Sequence, residues 1–200
     1  MIHVTGPDNK MLIGVCGKAG AGKDTVGDYL VKNYNFEKIA LADPIKRLVQ
    51  DVFVLSSEEV HDRSLREQPM EKWDNWSVRR LLQFIGTELF RKNITEEIWV
   101  KSLWYRAEQS LRWKNLVVTD VRFPNELEFL KKHAGISFGS IKVTRDGCDG
   151  NVGSTGHESE KYDLDTDISL TNNGSIENLH TTVDEALKNN FKQQTFNKNG

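Results

Sequence analysis

Short apolar runs alternate along the chain with longer segments in which apolar residues recur every three or four positions. The first run, Leu12–Cys16, precedes a segment whose apolar residues keep helical spacing: Val26, Tyr29, Leu30 and Tyr34. Further runs that predict strands lie at Phe36–Leu41, Leu116–Val121, Ile136–Thr144 and Asp167–Thr171. Strands that alternate with helices predict an α/β fold, with a mostly parallel five-stranded sheet covered by helices on both faces.

The same periodicity predicts further helices after the second, third and fifth strands. Asp43 fits the N-cap and Pro44 the first turn of a helix with an apolar face made of Ile45, Leu48, Val49 and Val52. The other helices are predicted from about Ser77 to Lys92, from Glu96 to about Lys114, from Pro124, and from Ser175 to about Phe191. The last helix is expected to bury Ile176, Leu179, Val183, Ala186 and Leu187.

The predicted helix at 77–92 has two distinct sides when its residues are placed at steps of about 100°. Its apolar side carries Val78, Leu81, Leu82, Ile85 and Leu89, and the opposite polar stripe carries Arg80, Gln83, Thr87 and Arg91. Gly86 lies mid-helix, where glycine is unfavourable, so a close approach by another group is expected there. The stripe suits either an ordinary solvated face or contacts to a nucleotide base and monophosphate.

Several segments lack this periodicity. Residues 1–10 are expected to form a loose extension, and the tail at 192–200 is expected to fray. Ser56–Asn75 is highly charged and is predicted to be an inserted or mobile segment. Gly147–Glu160 contains four glycines and is predicted to be either disordered or a functional lid.

The clearest chemical signal is the glycine-rich segment between the first strand and the first helix. Gly17-Lys18-Ala19-Gly20-Ala21-Gly22-Lys23 has the spacing of a phosphate-binding P-loop and is followed by Asp24 and Thr25. In such a loop, backbone N–H groups and the helix N-terminus attract phosphate, and Lys23 adds a full charge. The usual Ser or Thr after the lysine is Asp24 here, so Asp24 or Thr25 is the predicted Mg²⁺ ligand.

Four predicted strands end in residues that could contact phosphates, at the edge where parallel α/β sheets bind ligands. These residues are Gly17–Lys23, Asp43, Asp120 with Arg122, and Arg145. They predict phosphoryl transfer from ATP, with Asp120 as a further Mg²⁺ ligand and the two arginines bridging donor and acceptor phosphates. Closure of the lid would exclude water. Two interpretations without a substrate contact remain open. Asp43 could serve only as a helix cap, and Asp120 and Arg122 could form only a surface ion pair.

Composition narrows the class of partner. The 200 residues suit one domain, with a small inserted lobe as an open alternative. The net charge of −2 gives no reason to expect a nucleic-acid partner. Cys16 and Cys148 are too few for a disulfide framework or a zinc site, and Cys16 is expected in the core. No apolar run reaches the length of a membrane span and no signal peptide is visible, so the expected compartment is the cytoplasm. The oligomeric state is undecided, and a homodimer stays open.

Five segments of the sequence, which include the P-loop and the strand end at Asp120, together resemble the phage-type deoxynucleoside monophosphate kinases. The matching pieces are GKAGAGKDT at 17–25, LADPIKRL at 41–48, LLQFIGTELFR at 81–91, VVTDVRFPNE at 117–126 and TNNGSIENL at 171–179. They are spread over most of the chain from Met11 to about Leu187. The GKDT form of the P-loop is typical of that family, so Asp24 supports the resemblance.

The resemblance implies a P-loop NTPase fold that transfers the γ-phosphate of ATP to a deoxynucleoside 5′-monophosphate with the help of Mg²⁺. It implies a kinase domain at 11–191, with a helical acceptor region at about 56–114 and a lid at about 146–160. Asn173 and Gly174 would border the donor adenine. The acceptor would face Asp43, Lys46, Arg80, Gln83, Gly86, Thr87, Glu88 and Asp120. A phage-encoded chain would act in the host cytoplasm.

Two other functions stay open on the sequence. GKD loops and a DVR strand end also occur in enzymes that resemble phosphomevalonate kinase, which leaves another small-molecule P-loop kinase as an alternative. A non-catalytic nucleotide-binding module is the second alternative, although paired arginines and a long lid exceed what binding alone requires.

Overall fold

The computed structural model of the chain describes residues 10–111, 114–134, 138–148 and 162–191. The predicted extension at 1–10 except for its last residue, the predicted lid beyond residue 148 and the predicted tail at 192–200 lie outside these ranges. The chain divides into two compact units. One consists of the residues up to Ala40 together with those from Leu103 onward, and the other is Leu41–Ser102.

The first unit contains a five-stranded sheet in which every neighbouring pair of strands is parallel. Its strands, in the spatial order β2-β5-β1-β6-β7, are numbered along the chain as β1 (Leu12–Cys16), β2 (Phe36–Ile39), β5 (Asn115–Val121), β6 (Phe138–Thr144) and β7 (Ile168–Thr171). The hairpin strands β3 (Pro69–Met70) and β4 (Trp76–Ser77) belong to the second unit. The prediction of a parallel five-stranded α/β sheet is confirmed.

The central strand of the sheet is buried on both faces, because all five residues of β1 are buried. On one face, Ile13 and Val15 belong to a core cluster with residues of α1 (Lys23–Tyr34) and α8 (Ile176–Asn190). A third helix, α7 (Pro124–Ala134), packs against the sheet and contacts β1 and β6. Since helices bury the faces, the C-terminal strand ends are the part of this unit where a ligand can bind.

The second unit consists of short helices and a hairpin. Its elements are α2 (Asp43–Phe53), α3 (Ser57–His61), α4 (Arg63–Glu67), the β3–β4 hairpin with a 3₁₀ turn at Glu71–Trp73, α5 (Val78–Gln83), a π-helix (Phe84–Arg91) and the first residues of α6 (Ile98–Ser110). The segment expected to be inserted or mobile therefore folds into regular elements. Within it, Ser56 forms a capping box with Glu59, and Trp73 donates through Nε1 to the carbonyl oxygen of Phe53 at 3.1 Å. No helix in the described parts of the chain has the length and apolarity that crossing a bilayer requires.

The helix predicted over Ser77–Lys92 is not uniform, because its second half is a π-helix. A π-helix turns by less per residue than the about 100° of an α-helix, so its later residues drift around the axis. Thr87 and Arg91, predicted on the polar side, are each only 8% exposed, whereas the predicted core residue Leu89 is 46% exposed. The polar stripe predicted from α-helical spacing is therefore wrong in this half of the helix.

Three smaller predictions fail at helix ends. Asp43 is not the N-cap of α2 but its first helical residue. The N-cap is Ala42, whose side chain makes no capping hydrogen bond. The charge of Asp43 still favours the helix N-terminus, since the helix dipole is positive there. Val52 in the last turn of α2 and Ile176 at the start of α8 are both 60% exposed, because terminal turns extend beyond the packed part of each helix.

Candidate functional site

A cavity of about 450 Å³ lies at the C-terminal ends of β1, β5 and β6. Its walls include the P-loop residues Gly17, Lys18 and Ala21, together with Arg122, Lys142, Arg145 and the segment at 162–164. Among the described residues, four cations and one carboxylate, that of Asp163, contribute to the lining, so this part of the cavity suits an anionic ligand. The structure thus brings the P-loop and both predicted arginines to one cavity of the first unit.

Two glycines of the P-loop, Gly17 and Gly22, have conformations and surroundings that exclude side chains. Gly17 has a φ of +143°, and a Cβ there would lie 2.2 Å from the carbonyl oxygen of Val143. Gly22 has a φ of +105°, and its Cβ would lie 2.4 Å from Nδ2 of Asn172. Only glycine combines these backbone angles with such close packing, which explains the spacing of the motif.

Lys23 begins α1 and lies against the loop that precedes it. Its ammonium donates to the carbonyl oxygens of Gly17 at 2.7 Å and Lys18 at 2.8 Å. The charge is therefore held over the glycine loop, where the helix N-terminus also attracts anions. Of the next two residues, Asp24 is exposed and Thr25 is half-buried.

Asp24 belongs to a polar network that also contains Lys38, Asp28 and Thr119. Its Oδ1 accepts a hydrogen bond from Thr119 Oγ1 at 3.1 Å and lies 3.4 Å from Lys38 Nζ. Lys38 also donates to Asp28 Oδ1 at 2.7 Å. Burial alone would lower the pKa of the Lys38 amine, but the contacts with Asp28 and Asp24 outweigh burial and raise it. Lys38 is therefore a full cation beside the P-loop aspartate.

The turn after β7 connects two loops of the site. Asn172 Nδ2 donates to the carbonyl oxygen of Ala21 in the P-loop at 2.8 Å. Asn173 accepts from the backbone N–H of Asp146 at 2.8 Å and donates to Asp146 Oδ2 at 2.6 Å. The turn therefore fixes both the P-loop and the loop that carries Arg145. The resemblance places Asn172 in this turn but does not indicate its bond to the P-loop, and the adenine contact of Asn173 stays a prediction.

Arg122 follows β5, and a buried glutamate holds its main chain. Glu126 is 4% exposed, and its Oε2 accepts from the backbone N–H groups of Arg122 at 2.9 Å and Phe123 at 3.1 Å. Glu126 is the third residue of α7, so the bond to Phe123 is half of a capping box. The carboxylate thereby fixes the main chain from which Arg122 reaches the cavity.

Replacing Glu126 with Ala is expected to lower the free energy of unfolding by about 2–3 kcal/mol, because two backbone N–H groups lose this acceptor away from water. Glu128→Ala removes an exposed carboxylate from the same helix and is expected to cost less than about 0.5 kcal/mol. Urea unfolding of both variants measures the difference. Equal losses would contradict the capping role of Glu126.

The remaining cavity residues differ in their chemical roles. Arg145 is exposed, and Lys142 forms an ion pair with Asp163. Cys16 is 3% exposed, and burial raises the pKa of its thiol to about 11. The thiol therefore stays protonated at neutral pH, and the predicted core position of Cys16 is confirmed.

In the second unit, Arg80 is part of a small aromatic cluster. Its guanidinium carbon lies 3.9 Å from the centroid of the Trp76 ring. Trp76 in turn packs edge-on against Phe84, with 5.6 Å between ring centroids. Arg80 and Phe84 are exposed, so the cluster presents a cation and an aromatic surface to solvent.

The other residues predicted to face the acceptor have varied surroundings. Asp43 and Lys46 lie in the first turn of α2 and are half-buried, as is Gln83 at the end of α5. Glu88 forms an ion pair with Lys92 at 2.7 Å. Their substrate contacts stay predictions.

Gly86 is closely surrounded by protein, as its place in mid-helix suggested. A Cβ at Gly86 would lie 3.2 Å from Cδ1 of Ile45 in α2. Its carbonyl oxygen accepts a buried hydrogen bond from Trp99 Nε1 at 2.8 Å. The indole of Trp99 in α6 therefore satisfies a backbone carbonyl in the middle of the π-helix.

Asp24, Thr25 and Asp120 offer carboxylate and hydroxyl oxygens, which are the ligands that Mg²⁺ prefers. Within the four described ranges, no group of three or more acidic, histidine or cysteine side chains could hold a metal ion by itself. Mg²⁺ usually takes one or two carboxylates and completes its shell with water and substrate phosphates. The donor set therefore fits an ion that binds together with a nucleotide.

Comparison with known sequences gives one consistent family. A family profile described as deoxynucleotide monophosphate kinase matches residues 11–72 and 57–183. A protein of Acanthamoeba polyphaga mimivirus, provisionally described as a deoxynucleotide monophosphate kinase, is 32% identical over 198 residues, with 90% of this chain and 97% of its own length covered. The deoxynucleotide monophosphate kinase of Enterobacteria phage T4 is 28% identical over 117 residues, with 58% of this chain and 47% of the phage protein covered.

Solved structures with a similar backbone are more distant. An APS kinase from Mycobacterium tuberculosis in complex with AMPPNP and APS has a TM-score of 0.49 at 13% identity, covering 91% of this chain and 99% of its own. A shikimate kinase from Aquifex aeolicus has a TM-score of 0.45 at 14% identity, covering 91% of this chain and 99% of its own. The family match, rather than these structures, identifies the relatives of the chain.

Proposed function

The chain belongs to the deoxynucleotide monophosphate kinase family and is a phosphotransferase, and we propose that it transfers the γ-phosphate of ATP to deoxynucleoside 5′-monophosphates. The observation that carries the proposal is the cavity shared by the P-loop, Arg122 and Arg145. Phosphoryl transfer needs positioning and charge neutralisation more than covalent help, and these groups supply both. The products are ADP and a deoxynucleoside diphosphate, and we place the reaction in the cytoplasm, the host's if a phage encodes the chain.

The phosphates of ATP are proposed to bind in the P-loop. The backbone N–H groups of Gly17–Gly22 and the N-terminus of α1 supply partial positive charge, and Lys23 supplies a full charge to the β- and γ-phosphates. Asn172 supports the proposal because its side chain bonds to the loop and keeps the loop in place. Asn173 and Gly174 are proposed to border the adenine.

The two arginines are proposed to bind the transferred phosphoryl group and the acceptor phosphate as negative charge shifts between them. Both start from fixed main chain, since Glu126 holds the backbone at Arg122 and Asn173 holds the residue after Arg145. Mg²⁺ held through Asp24 or Thr25, together with Asp120, would neutralise the β- and γ-phosphate oxygens.

The acceptor nucleotide is proposed to contact residues of the Leu41–Ser102 unit, among them Asp43, Lys46, Gly86 and Glu88. Because Thr87 is 8% exposed, the accessible members of the predicted stripe are Arg80 and Gln83. These two offer a guanidinium and an amide, which suit a base or a monophosphate.

An acceptor panel tests the proposal against the alternative of a phosphomevalonate-kinase-like activity. ADP release is measured in a coupled assay with each deoxynucleoside monophosphate, each ribonucleoside monophosphate and phosphomevalonate. We expect turnover with at least one deoxynucleoside monophosphate and none with phosphomevalonate. Turnover with phosphomevalonate alone would contradict the proposal.

Replacing Asp24 with Asn is expected to raise the Mg²⁺ concentration for half-maximal activity by about tenfold, because a neutral amide binds this ion less well than a carboxylate. Asp28→Asn, which removes the same charge further along α1, is the control and should leave the titration unchanged. An unchanged titration for Asp24→Asn would remove Asp24 from the proposed metal site.

A further inference from the structure

The carboxylate of Asp24 creates an electrostatic difficulty for a P-loop. Asp24 is the second residue of α1 and directly follows Lys23, so in the proposed function it lies where nucleotide phosphates approach. A negative charge at this position repels phosphate unless a nearby cation neutralises it. The hydroxyl that usually occupies this position carries no such charge.

Lys38 places a cation next to this carboxylate from a neighbouring strand. It lies on β2, and its Nζ is 3.4 Å from Asp24 Oδ1. The same oxygen accepts the hydroxyl of Thr119, which is 5% exposed on β5, so the carboxylate is oriented toward the sheet. A cation and a hydroxyl therefore converge on one oxygen of Asp24.

The fold leaves space for this arrangement at Gly27. A Cβ at this position in α1 would lie 2.4 Å from Cγ2 of Thr119 and 3.3 Å from Cδ of Lys38. Glycine is an unfavourable residue in the middle of a helix compared with alanine, so its presence here is unfavourable in itself. The missing side chain allows Thr119 and the stem of Lys38 to pack beneath α1.

We propose that Lys38 is the built-in counter-ion of Asp24 and keeps the aspartate P-loop able to bind nucleotide phosphates in the absence of Mg²⁺. The proposal rests on the proposed function, because it assumes that the P-loop binds a nucleotide. Lys38 acts through Asp24 and is a positioning residue. With Mg²⁺ at Asp24, the ion itself supplies the neutralising charge.

ADP binding measured by calorimetry, in EDTA and in saturating Mg²⁺, tests the proposal without any turnover. Lys38→Met keeps the apolar stem and removes the charge. We expect it to weaken ADP binding about tenfold in EDTA, where Asp24 is left uncompensated, and less than about threefold with Mg²⁺. Lys38→Arg keeps the charge and should stay within about threefold of the parent protein in both conditions.

Asp28 provides a matched control, because it shares the Lys38 ammonium at 2.7 Å but lies one turn further along α1. Asp28→Asn should leave ADP binding within about twofold of the parent protein in both conditions. Asp24→Asn should suppress the defect, so that Lys38→Met in that background changes ADP binding in EDTA by less than about twofold.

Equal weakening by Lys38→Met with and without Mg²⁺, or a defect that Asp24→Asn does not suppress, would overturn the proposal. A lower melting temperature with unchanged ADP binding in EDTA would also overturn it, because the role of Lys38 would then be structural. These outcomes are independent of the acceptor. Failure to phosphorylate any deoxynucleotide would overturn the proposed function while the ADP measurements still decide the role of Lys38.

Discussion

Replacing Lys23 with Ala is expected to lower the rate of phosphoryl transfer by about 10³-fold or more while the protein stays folded. Lys23 supplies the full positive charge of the P-loop, and its ammonium lies 2.7 Å from the carbonyl oxygen of Gly17. That charge neutralises part of the negative charge on the β- and γ-phosphates. During transfer, negative charge increases at the leaving oxygen, so the neutralisation becomes more important. Lys23 is half-buried and is not a member of the core cluster, so stability should fall by only about 1 kcal/mol.

Single-turnover kinetics and thermal unfolding of the same preparation separate the two effects. Lys32→Ala removes an exposed lysine from the last turn of the same helix and should leave the rate within about twofold of the parent protein. A Lys23→Ala protein that transfers phosphate at the parent rate would show that this loop does not hold the donor phosphates.

Replacing Arg122 with Ala is expected to reduce kcat by roughly 10³-fold and to weaken acceptor binding by less than about tenfold. Arg122 lines the cavity, and Glu126 holds its main chain by accepting from two backbone N–H groups. A cation beside the transferred phosphoryl group can stabilise charge that develops in the transition state more than charge already present in the ground state. The effect should therefore appear mainly in kcat.

Arg122→Lys is the matched variant, because it keeps a positive charge but loses the planar pair of donors. It should recover part of the rate, remaining at least about tenfold below the parent protein. Steady-state kinetics with separate measurement of the acceptor Kd distinguishes the effects. A loss confined to acceptor Kd, with kcat unchanged, would contradict a catalytic role for Arg122.

The sheet could be predicted from sequence because its central strands are buried on both faces and appear as continuous apolar runs. β1 and β5 show this most clearly, and both end next to the predicted phosphate loop and Arg122. Parallel strands place their C-terminal ends at one edge. The gathering of the P-loop, Arg122 and Arg145 therefore follows from the order of elements alone.

The π-helix could not be predicted, because the residues at 84–91 keep a spacing that also suits an α-helix. Its conformation accompanies contacts from elsewhere in the same unit: Trp99 donates to the carbonyl oxygen of Gly86 at 2.8 Å, and Ile45 packs close to Gly86. Both are tertiary contacts, which periodicity within one helix does not contain. For the same reason, the burial of Thr87 could not be predicted from the sequence.

The supporting contacts of the site could not be predicted because the residues that make them are remote in sequence. Thr119 bonds to Asp24 across 95 positions, and Asn172 bonds to Ala21 across 151 positions. In the sequence, Lys38 looks like an ordinary polar residue of a short strand. Its proximity to Thr119 and Asp24 depends on the pairing of β2 with β5. Motif spacing indicates the residues that contact phosphate, whereas register between strands decides which residues hold them.

The fate of the γ-phosphate tests the central claim most directly. ATP labelled with ¹⁸O at the γ-phosphate is incubated with Mg²⁺ and a mixture of deoxynucleoside monophosphates, and the products are identified by mass spectrometry, with Lys23→Ala as the blank. We predict labelled deoxynucleoside diphosphate in amounts equal to the ADP formed. Labelled inorganic phosphate without labelled diphosphate, or no ADP beyond the blank, would contradict deoxynucleotide kinase activity.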